Sequence, residues 1–502
     1  MPEAEGESRT HAVRSIGWNY ASYGFQIAVN LGLTAFIVRR ISVPEYGLYL
    51  LVLSLSSTLN FLELGLSSVL VQSYVAALQV TGRERLSEVL STAFFALAAL
   101  GFVGVGLFSI VAAVLPGPFQ IPNALLSEAS TVFVVAALII QVNLPSSAIE
   151  QVYIAFHQFN SINKIRIAST SLYTAFAVFA LWKGHGIVAL ALAQLAASLL
   201  QFGLLYMGLP RLDRDARIRI SGFRRAQLKL LFHTSKWAFL NDLSSYLFEL
   251  LVWTILGSFG SMEQAALYGL AAKLPRQLWN VTDRGASILL PHTSRFWMKQ
   301  DWLQLRQTYL QMQRVLFGVF LPFVALGCLI AGPLIQIWAG PHYAGAVLVL
   351  QFLLIGVISH GSGYASSQLF YAGNKIKTSA IILMCEYAAS TVIALFVVPR
   401  YGAAGLAASI ALVQIIINFG WYLFASCREL NLRPTAVTGA LFHRMAWPLF
   451  SLGVVILAVS LLWRRLSSTG LLIAATLGGC IYLAVWGLQI ALPVYRGEAR
   501  TI

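Results

Sequence analysis

A segment between residues 268 and 291 combines the hydrophobicity of a membrane span with a line of charged and polar side chains. A charged group near the centre of a bilayer costs about 3 kcal/mol or more, so such groups usually face a protein interior or a water-filled cavity. The segment is therefore predicted to line a polar path. Helical geometry places five of its residues on one face, at spacings of three, four, three and one: Lys273, Arg276, Asn280, Asp283 and Arg284.

The chain as a whole has the composition of a polytopic membrane protein. Of its 502 residues, 58% are hydrophobic and 11% are charged, and the mean hydropathy is +0.74. Soluble domains of this length do not reach these values. Apolar runs long enough to cross about 30 Å of hydrocarbon predict an all-α membrane protein with about 14 transmembrane helices, at residues 15–38, 45–72, 89–115, 127–149, 163–182, 186–208, 234–257, 262–291, 309–331, 343–372, 378–398, 403–426, 445–463 and 470–492.

The distribution of Lys and Arg predicts how these helices are oriented. With the N-terminus placed in the cytoplasm, the inner segments hold 23 of these residues and the outer loops hold 6. Because cytoplasmic loops retain positive charge, both termini are expected on the cytoplasmic side. This topology accounts for most of the net charge of +15, so no nucleic-acid partner is expected. The four cysteines form no CxxC spacing, so neither a disulfide framework nor a metal site is expected.

The sequence carries an internal duplication. Tyr46-Gly47-Leu48 recurs as Tyr268-Gly269-Leu270, and the segment 65–70 recurs as 285–290, at offsets of 220 to 222. Two repeats of six helices would form two pseudo-symmetric lobes of the same orientation. The predicted organisation is an N-terminal lobe at 1–209, a basic amphipathic linker lying as a helix in the cytoplasmic interface at 210–233, a C-terminal lobe at 234–430, and two extra helices with a cytoplasmic tail at 431–502.

Several short motifs resemble those of a known family. The chain is similar to the bacterial polysaccharide transporter family, which includes the O-antigen flippases and belongs to the multidrug/oligosaccharidyl-lipid/polysaccharide flippase superfamily. The resemblance covers nearly the whole chain, including the number of helices. The motifs are VPEYGLY at 43–49, ELGLSS at 63–68, IWAGPHY at 337–343, LFYAGNK at 369–375 and YGAAG at 401–405.

This resemblance implies a V-shaped pair of lobes that alternately open a central cavity to the two sides of the bacterial inner membrane. Family members move polyprenyl-pyrophosphate-linked oligosaccharides to the outer leaflet for the synthesis of O-antigen, capsule or exopolysaccharide. The implied partners are this lipid-linked glycan, the bilayer and the polymerase or ligase machinery. No cofactor is implied beyond coupling to H⁺ or Na⁺, and no catalytic residue is expected.

The cations of the predicted eighth helix suit a pyrophosphate. Arg276 and Arg284 can each grip a phosphate with two hydrogen bonds, and Lys273 adds a point charge. An alternative stays open, in which these cations only neutralise acids of the predicted seventh helix. Polar residues expected to contact the glycan are Asn19, Asn30, Gln141, Asn143, Asn280 and His360, for which hydrogen bonds between helices and packing are the alternatives.

Acidic residues within the predicted spans are candidates for ion coupling or gating. The duplication aligns Asp283 with Glu63, which gives each lobe one carboxylate at the same depth. A buried carboxylate can be neutralised by a cation as a cavity changes side. The alternative is a structural acid in an ion pair or a helix cap. The full candidate set is Glu63, Asp283, Asp242, Glu249 and Glu386.

Two other functions are compatible with the architecture. A cation-coupled multidrug or toxin exporter would favour acids over bases in its cavity and an acid in the first helix, whereas the span 15–38 has none. A membrane-embedded glycosyltransferase or polymerase would need acidic catalytic motifs and normally a long outer loop. All the predicted outer loops are short, so the protein is not expected to be an enzyme.

Overall fold

The computed structural model describes residues 24–63, 65–79, 84–114, 121–213, 216–286, 290–373, 375–442, 445–462 and 466–491. These residues fold into α-helices joined by short turns, with no β-strand among them. The chain divides into two compact units, Met1–Glu263 and Gln264–Ile502. Each unit builds its own core from apolar helix faces.

The first unit contains eight of the described helices. Within it, α4 packs along α5, α5 packs on α7, and α6 packs on α7. The helices are α1 (Gly24–Val38), α2 (Val43–Thr58), α3 (Leu66–Gln79), α4 (Glu84–Val114), α5 (Leu126–Ala155), α6 (Phe159–Trp182), α7 (Ile187–Leu212) and α8 (Arg225–Phe259).

The second unit contains the other nine described helices. Its centre is α12, which packs against both α11 and α13, while α16 and α17 pack together and α17 lies on α11. The helices are α9 (Met262–Ala286), α10 (Leu290–Met298), α11 (Trp302–Trp338), α12 (Ala346–Ala372), α13 (Ile376–Ile416), α14 (Leu423–Leu430), α15 (Pro434–Phe442), α16 (Ala446–Leu462) and α17 (Ser468–Trp486).

Eight stretches of the described helices are long and apolar enough to cross a bilayer, and four shorter apolar helices accompany them. The all-α polytopic membrane fold is therefore confirmed. One of the eight, Lys377–Leu430, covers two predicted spans. The number 14 and the lobe boundaries remain predictions.

The predicted span at 45–72 is wrong as a single helix. Helix α2 ends at Thr58, a short 3-10 turn follows over Leu59–Glu63, and α3 begins at Leu66. At Gly65 the backbone has a φ of +68°. A Cβ at this position would lie 2.6 Å from the backbone nitrogen of Phe239 on α8. The helix breaks here because α8 approaches the backbone too closely for any side chain.

The predicted span at 262–291 is helical over Met262–Ala286 and again from Leu290. Residues 287–289 lie outside the described residues, so the course of the chain between α9 and α10 is not described and the duplication remains a prediction.

The predicted spans at 378–398 and 403–426 correspond to two helical arms of α13 that meet at a kink. The kink lies at Gly402, where the backbone is not helical and a φ of 57° favours glycine. The side chain of Gln264, at the start of α9, fills the inside of this bend and accepts a hydrogen bond from Ala403 N at 2.8 Å. A wide π-helical turn over Ile417–Tyr422 then leads into α14.

The predicted interfacial helix in the linker is wrong over residues 216–224. Here the backbone is irregular apart from one turn at Ile220–Gly222, and α8 begins at Arg225. The C-terminal part of the predicted linker is thus the start of a long helix. This helix packs on α2, α3 and α4 within the first unit.

Candidate functional site

The charged face predicted in the sequence lies on α9. This helix runs without interruption from Met262 to Ala286, so its residues keep the helical spacing that groups the polar side chains. Arg276 and Asn280 are exposed, and Lys273 is half-buried. The side chains of Asp283 and Arg284 lie outside the part of the chain that the structure describes.

Lys273 and Arg276 are the two cations of this face whose side chains the structure describes. They are one turn apart, a spacing that brings Cβ atoms to within about 6 Å, and their positive charges repel each other. Each also has further interactions within the protein. An anion that contacts both cations would relieve this repulsion, and the exposed guanidinium of Arg276 is accessible to such a group.

Two contacts hold α9 in its orientation on the second unit. At its start, the Gln264 side chain accepts the hydrogen bond from Ala403 N. Further along, the Trp279 ring lies against His360 of α12, with ring centroids 5.1 Å apart. Because Trp279 adjoins Arg276 and Asn280 on the helix surface, the packing of this ring fixes the position of these two exposed residues.

His360 of α12 lies at the edge of the polar face of α9, against Trp279. Its ring sits between Trp279 and Tyr364, whose centroid is 6.2 Å away. His360 Nε2 and Trp279 Nε1 are buried and have no hydrogen-bond partner among the described residues. The predicted contact of His360 with a glycan remains a prediction, and this position corresponds to the packing alternative.

The amides predicted to bind a glycan occupy different environments. Asn30 on α1 and Asn143 on α5 are exposed. Gln141 instead lies between α4 and α5, where its Nε2 donates to Ala98 O at 3.4 Å. Gln141 therefore forms the kind of interhelical hydrogen bond given as its alternative. Asn19 lies outside the described residues.

The candidate acids of the first unit have hydrogen-bond donors on neighbouring turns. Glu63, in the turn before Gly65, accepts from Ser67 Oγ at 2.5 Å. Glu249 on α8 accepts from Trp253 Nε1 at 3.3 Å. The side chain of Asp242 is not among those described. Such local hydrogen bonds are what the structural alternative predicts, in which these acids stabilise the local backbone geometry.

Glu386 is the most buried carboxylate among the described residues, with 5% of its surface exposed. It lies on the first arm of α13 and forms a side-chain hydrogen bond with Gln414 on the second arm. Gln414 in turn lies against Gly356 of α12, where an added Cβ would be 2.6 Å from Gln414 Oε1. The carboxyl group is therefore enclosed where three helical segments meet.

A belt of buried polar side chains also lies in the second unit, at residues that were not predicted as sites from the sequence. Asn418 donates to Ser359 Oγ at 3.4 Å, Gln313 donates to Tyr309 at 2.9 Å, and Ser379 shares a hydrogen bond of 2.9 Å with Tyr422. The sequence feature from which these side chains could have been predicted is the presence of amides inside apolar runs. Asn418 and Tyr422 belong to the π-helical turn, so their contacts link this turn to α12 and to the first arm of α13. Gln313 of α11 also donates to Ser362 O of α12 at 3.3 Å.

Arg314 is a second residue that sequence reasoning missed. It lies within the predicted span at 309–331 and is only 7% exposed, which makes it the most buried cation of the described chain. It interacts with other residues of the protein. The charge itself could have identified Arg314 in the sequence, since intramembrane arginines are rare and usually functional or paired.

Comparison with known proteins identifies the family. The family model described as "Polysaccharide biosynthesis protein" matches residues 36–348, more than half of the chain. A protein provisionally named as an O-antigen transporter of Shigella flexneri is 21% identical over 414 residues, which cover 81% of this chain and 95% of that protein. The membrane protein EpsK of Bacillus subtilis (strain 168) is 24% identical over 396 residues, 75% of each chain.

Solved structures show the same fold at low sequence identity. The lipid II flippase MurJ in an inward closed conformation has a TM-score of 0.73 at 13% identity, covering 96% of this chain and 99% of MurJ. An inward-facing multidrug resistance transporter of the MATE family has a TM-score of 0.72 at 14% identity, covering 82% and 95%. Because the family model covers more than half of the chain, the chain belongs to the polysaccharide biosynthesis protein family.

Proposed function

We propose that this membrane transporter of polysaccharide biosynthesis flips a polyprenyl-pyrophosphate-linked oligosaccharide from the cytoplasmic to the outer leaflet of the bacterial inner membrane. The product would serve O-antigen, capsule or exopolysaccharide synthesis and pass to a polymerase or ligase. The observation that carries the proposal is the pair of adjacent cations on α9, Lys273 and Arg276, which concentrate positive charge on one face of an apolar protein.

The chemistry of the substrate explains why such a pair is useful. A diphosphate presents two adjacent anionic groups, and two cations one helical turn apart can contact both of them. Arg276 supplies a fork of donors, and Lys273 supplies a compact charge. Asn280, one turn further along the same face, can hydrogen-bond to a sugar hydroxyl. The lipid tail can stay in the hydrocarbon throughout, so only the polar part needs a path during alternating access.

Ion coupling forms a second part of the proposal. Glu386 is the strongest candidate, because its burial beside Gln414 makes a lasting negative charge costly. Binding of H⁺ or Na⁺ would neutralise the carboxyl group, and release would restore the charge. Glu63 and Asp283 stay as competing candidates.

The function is tested by exchanging Arg276. We expect Arg276→Ala to lower flipping at least tenfold, the effect of losing one charge-assisted contact, whereas Arg276→Lys should retain part of the activity. Arg284→Ala is expected to behave like Arg276→Ala. The measurement is surface glycan in cells that depend on the variant, together with the amount of inserted protein. Arg400→Ala, which removes an exposed cation from α13, is the matched control.

Normal surface glycan with both Arg276→Ala and Arg284→Ala would refute the assignment. The alternative is a cation-coupled multidrug or toxin exporter, and the enclosed carboxyl of Glu386 is the observation in its favour. An exporter would protect cells from toxic cations and leave surface glycan unaffected when the protein is deleted. Drug susceptibility and surface glycan measured in the same deletion strain therefore separate the two functions.

A further inference from the structure

The segment of residues 216–224, which precedes α8, is attached to α4 through its own backbone. Arg219 N donates to Ser91 Oγ at 3.0 Å, and Arg224 N donates to Thr92 Oγ1 at 3.0 Å. The carbonyl of Arg217 accepts from Ser91 Oγ at 3.3 Å. Ser91 and Thr92 are fully buried. Two buried hydroxyls of α4 therefore hold this segment in one conformation.

Close packing and an ion pair complete the attachment. A Cβ on Gly222 would lie 2.9 Å from Ser91 Oγ, so the turn at Ile220–Gly222 sits directly on α4. The guanidinium of Arg224 donates to Glu88 at 2.9 Å. The segment thus has one defined conformation and packs on α4 within the first unit.

The side chains around this turn present positive charge to the outside. The turn also exposes Ile220, which is 83% accessible, whereas Ala216 of the same segment is buried and Ile218 and Phe223 are half-buried. An isolated apolar tip among cations is typical of surfaces that lie on a membrane. Six basic residues in and beside the segment are exposed: Arg211, Arg217, Arg219, Arg224, Arg225 and Lys229.

We propose that this segment and the first turn of α8 form a docking surface for anionic phospholipid headgroups of the cytoplasmic leaflet. Charge complementarity selects the headgroup, and Ile220 inserts between the lipids. Topology alone would require only that the cations be present on one side. Fixing the backbone through Ser91 and Thr92 has a further effect, because a surface that is already ordered loses less entropy when it binds.

The test uses the full-length protein in detergent, titrated with phosphatidylglycerol or with phosphatidylcholine, and counts bound lipids by native mass spectrometry. We expect tighter binding of phosphatidylglycerol. The triple variant R219Q/R225Q/K229Q should weaken that preference by about fivefold for each cation removed, and the remaining preference should depend less on salt. Ile220→Ser should weaken binding without changing its salt dependence.

The matched control is K299Q/R428Q/R433Q, which removes three exposed cations of the second unit on the same predicted side. It should keep the preference for phosphatidylglycerol. An equal loss in both triple variants, or no preference in the unmodified protein, would overturn the proposal. Displacement of the bound lipid by inorganic diphosphate at matched ionic strength would also overturn it, because the surface would then recognise free phosphate groups. Ser91→Ala, which keeps every cation, should lower the preference by loosening the segment.

Discussion

At position 65 the chain needs a residue without a side chain. The positive φ and the nearby backbone of α8 act together there, and both exclude a Cβ. The break that results places Glu63 in a short turn, where Ser67 can donate to its carboxylate. One glycine thereby determines both where a helix ends and how a candidate coupling residue is bound.

Gly65→Ala is expected to destabilise the protein by about 2 kcal/mol or more, since a left-handed alanine costs roughly 1 to 2 kcal/mol and α8 must also shift. The measurement is thermal unfolding in detergent. Gly106→Ala is the control, because nothing lies within 4 Å of the Cβ it would add to α4. Alanine there should be neutral or slightly stabilising. Equal unfolding temperatures for the two variants would contradict the close approach of α8.

Among the helices, α9 is the one whose orientation matters most for the proposed function. Its polar residues can serve a substrate only if the helix is held in a fixed orientation against its neighbours. The Trp279–His360 contact provides this hold. The indole nitrogen makes no hydrogen bond within the described structure, so the ring acts through its shape and apolar surface.

Replacing Trp279 tests whether its contact with His360 positions α9. Trp279→Leu should cost about 2 kcal/mol through lost ring packing and a small cavity, and it should lower flipping because Arg276 loses its fixed position. Trp279→Phe keeps an aromatic ring and should retain most of the activity. Flipping of a lipid-linked oligosaccharide in proteoliposomes is the measurement. Similar rates in both variants would show that α9 is positioned by other contacts.

Sequence patterns predicted the helices well where the pattern is local. The polar face of α9 follows from helical spacing alone, so the structure preserves it. The break at Gly65 depends on α8, which lies far away in the sequence. The linker was predicted as an amphipathic helix from its composition, but Ser91 and Thr92 bind its backbone in another conformation. Such long-range hydrogen bonds leave no periodic signal.

At the scale of the whole molecule, the two units differ in what they bury. Among the described residues of the first unit, the buried polar side chains are those of serines and threonines and one larger amide, Asn163. The second unit buries longer amides and charges, including Arg314, Glu386 and Gln414. Among the described residues, the buried groups able to bind and release a cation therefore lie mainly in the second unit. The sequence shows these residues, but only the fold shows that they are enclosed together.

Glu386→Gln tests whether this interior couples transport to an ion gradient. The amide can keep the hydrogen bond to Gln414 but cannot become charged, so the protein should fold and flip without responding to imposed H⁺ or Na⁺ gradients. The measurement is the ratio of flipping rates with and without each gradient in proteoliposomes. Glu429→Gln, which only removes an ion pair with Lys375, is the control.

Glu63→Gln and Asp283→Asn belong in the same experiment. If one of them loses the gradient response and Glu386→Gln keeps it, coupling belongs to the duplicated carboxylates. If all three variants respond normally, the acids are structural.

The buried polar belt also affects how the protein is made. Ser359 of α12 is hydrogen-bonded to Asn418, 59 residues later in the chain. At about 5 to 20 residues per second, α12 is synthesised several seconds before its partner exists. During that time its polar groups must remain hydrated or bind temporarily elsewhere, since unpaired groups in lipid are costly. The helices from α11 to α14 should therefore leave the insertion machinery as one group and not one by one.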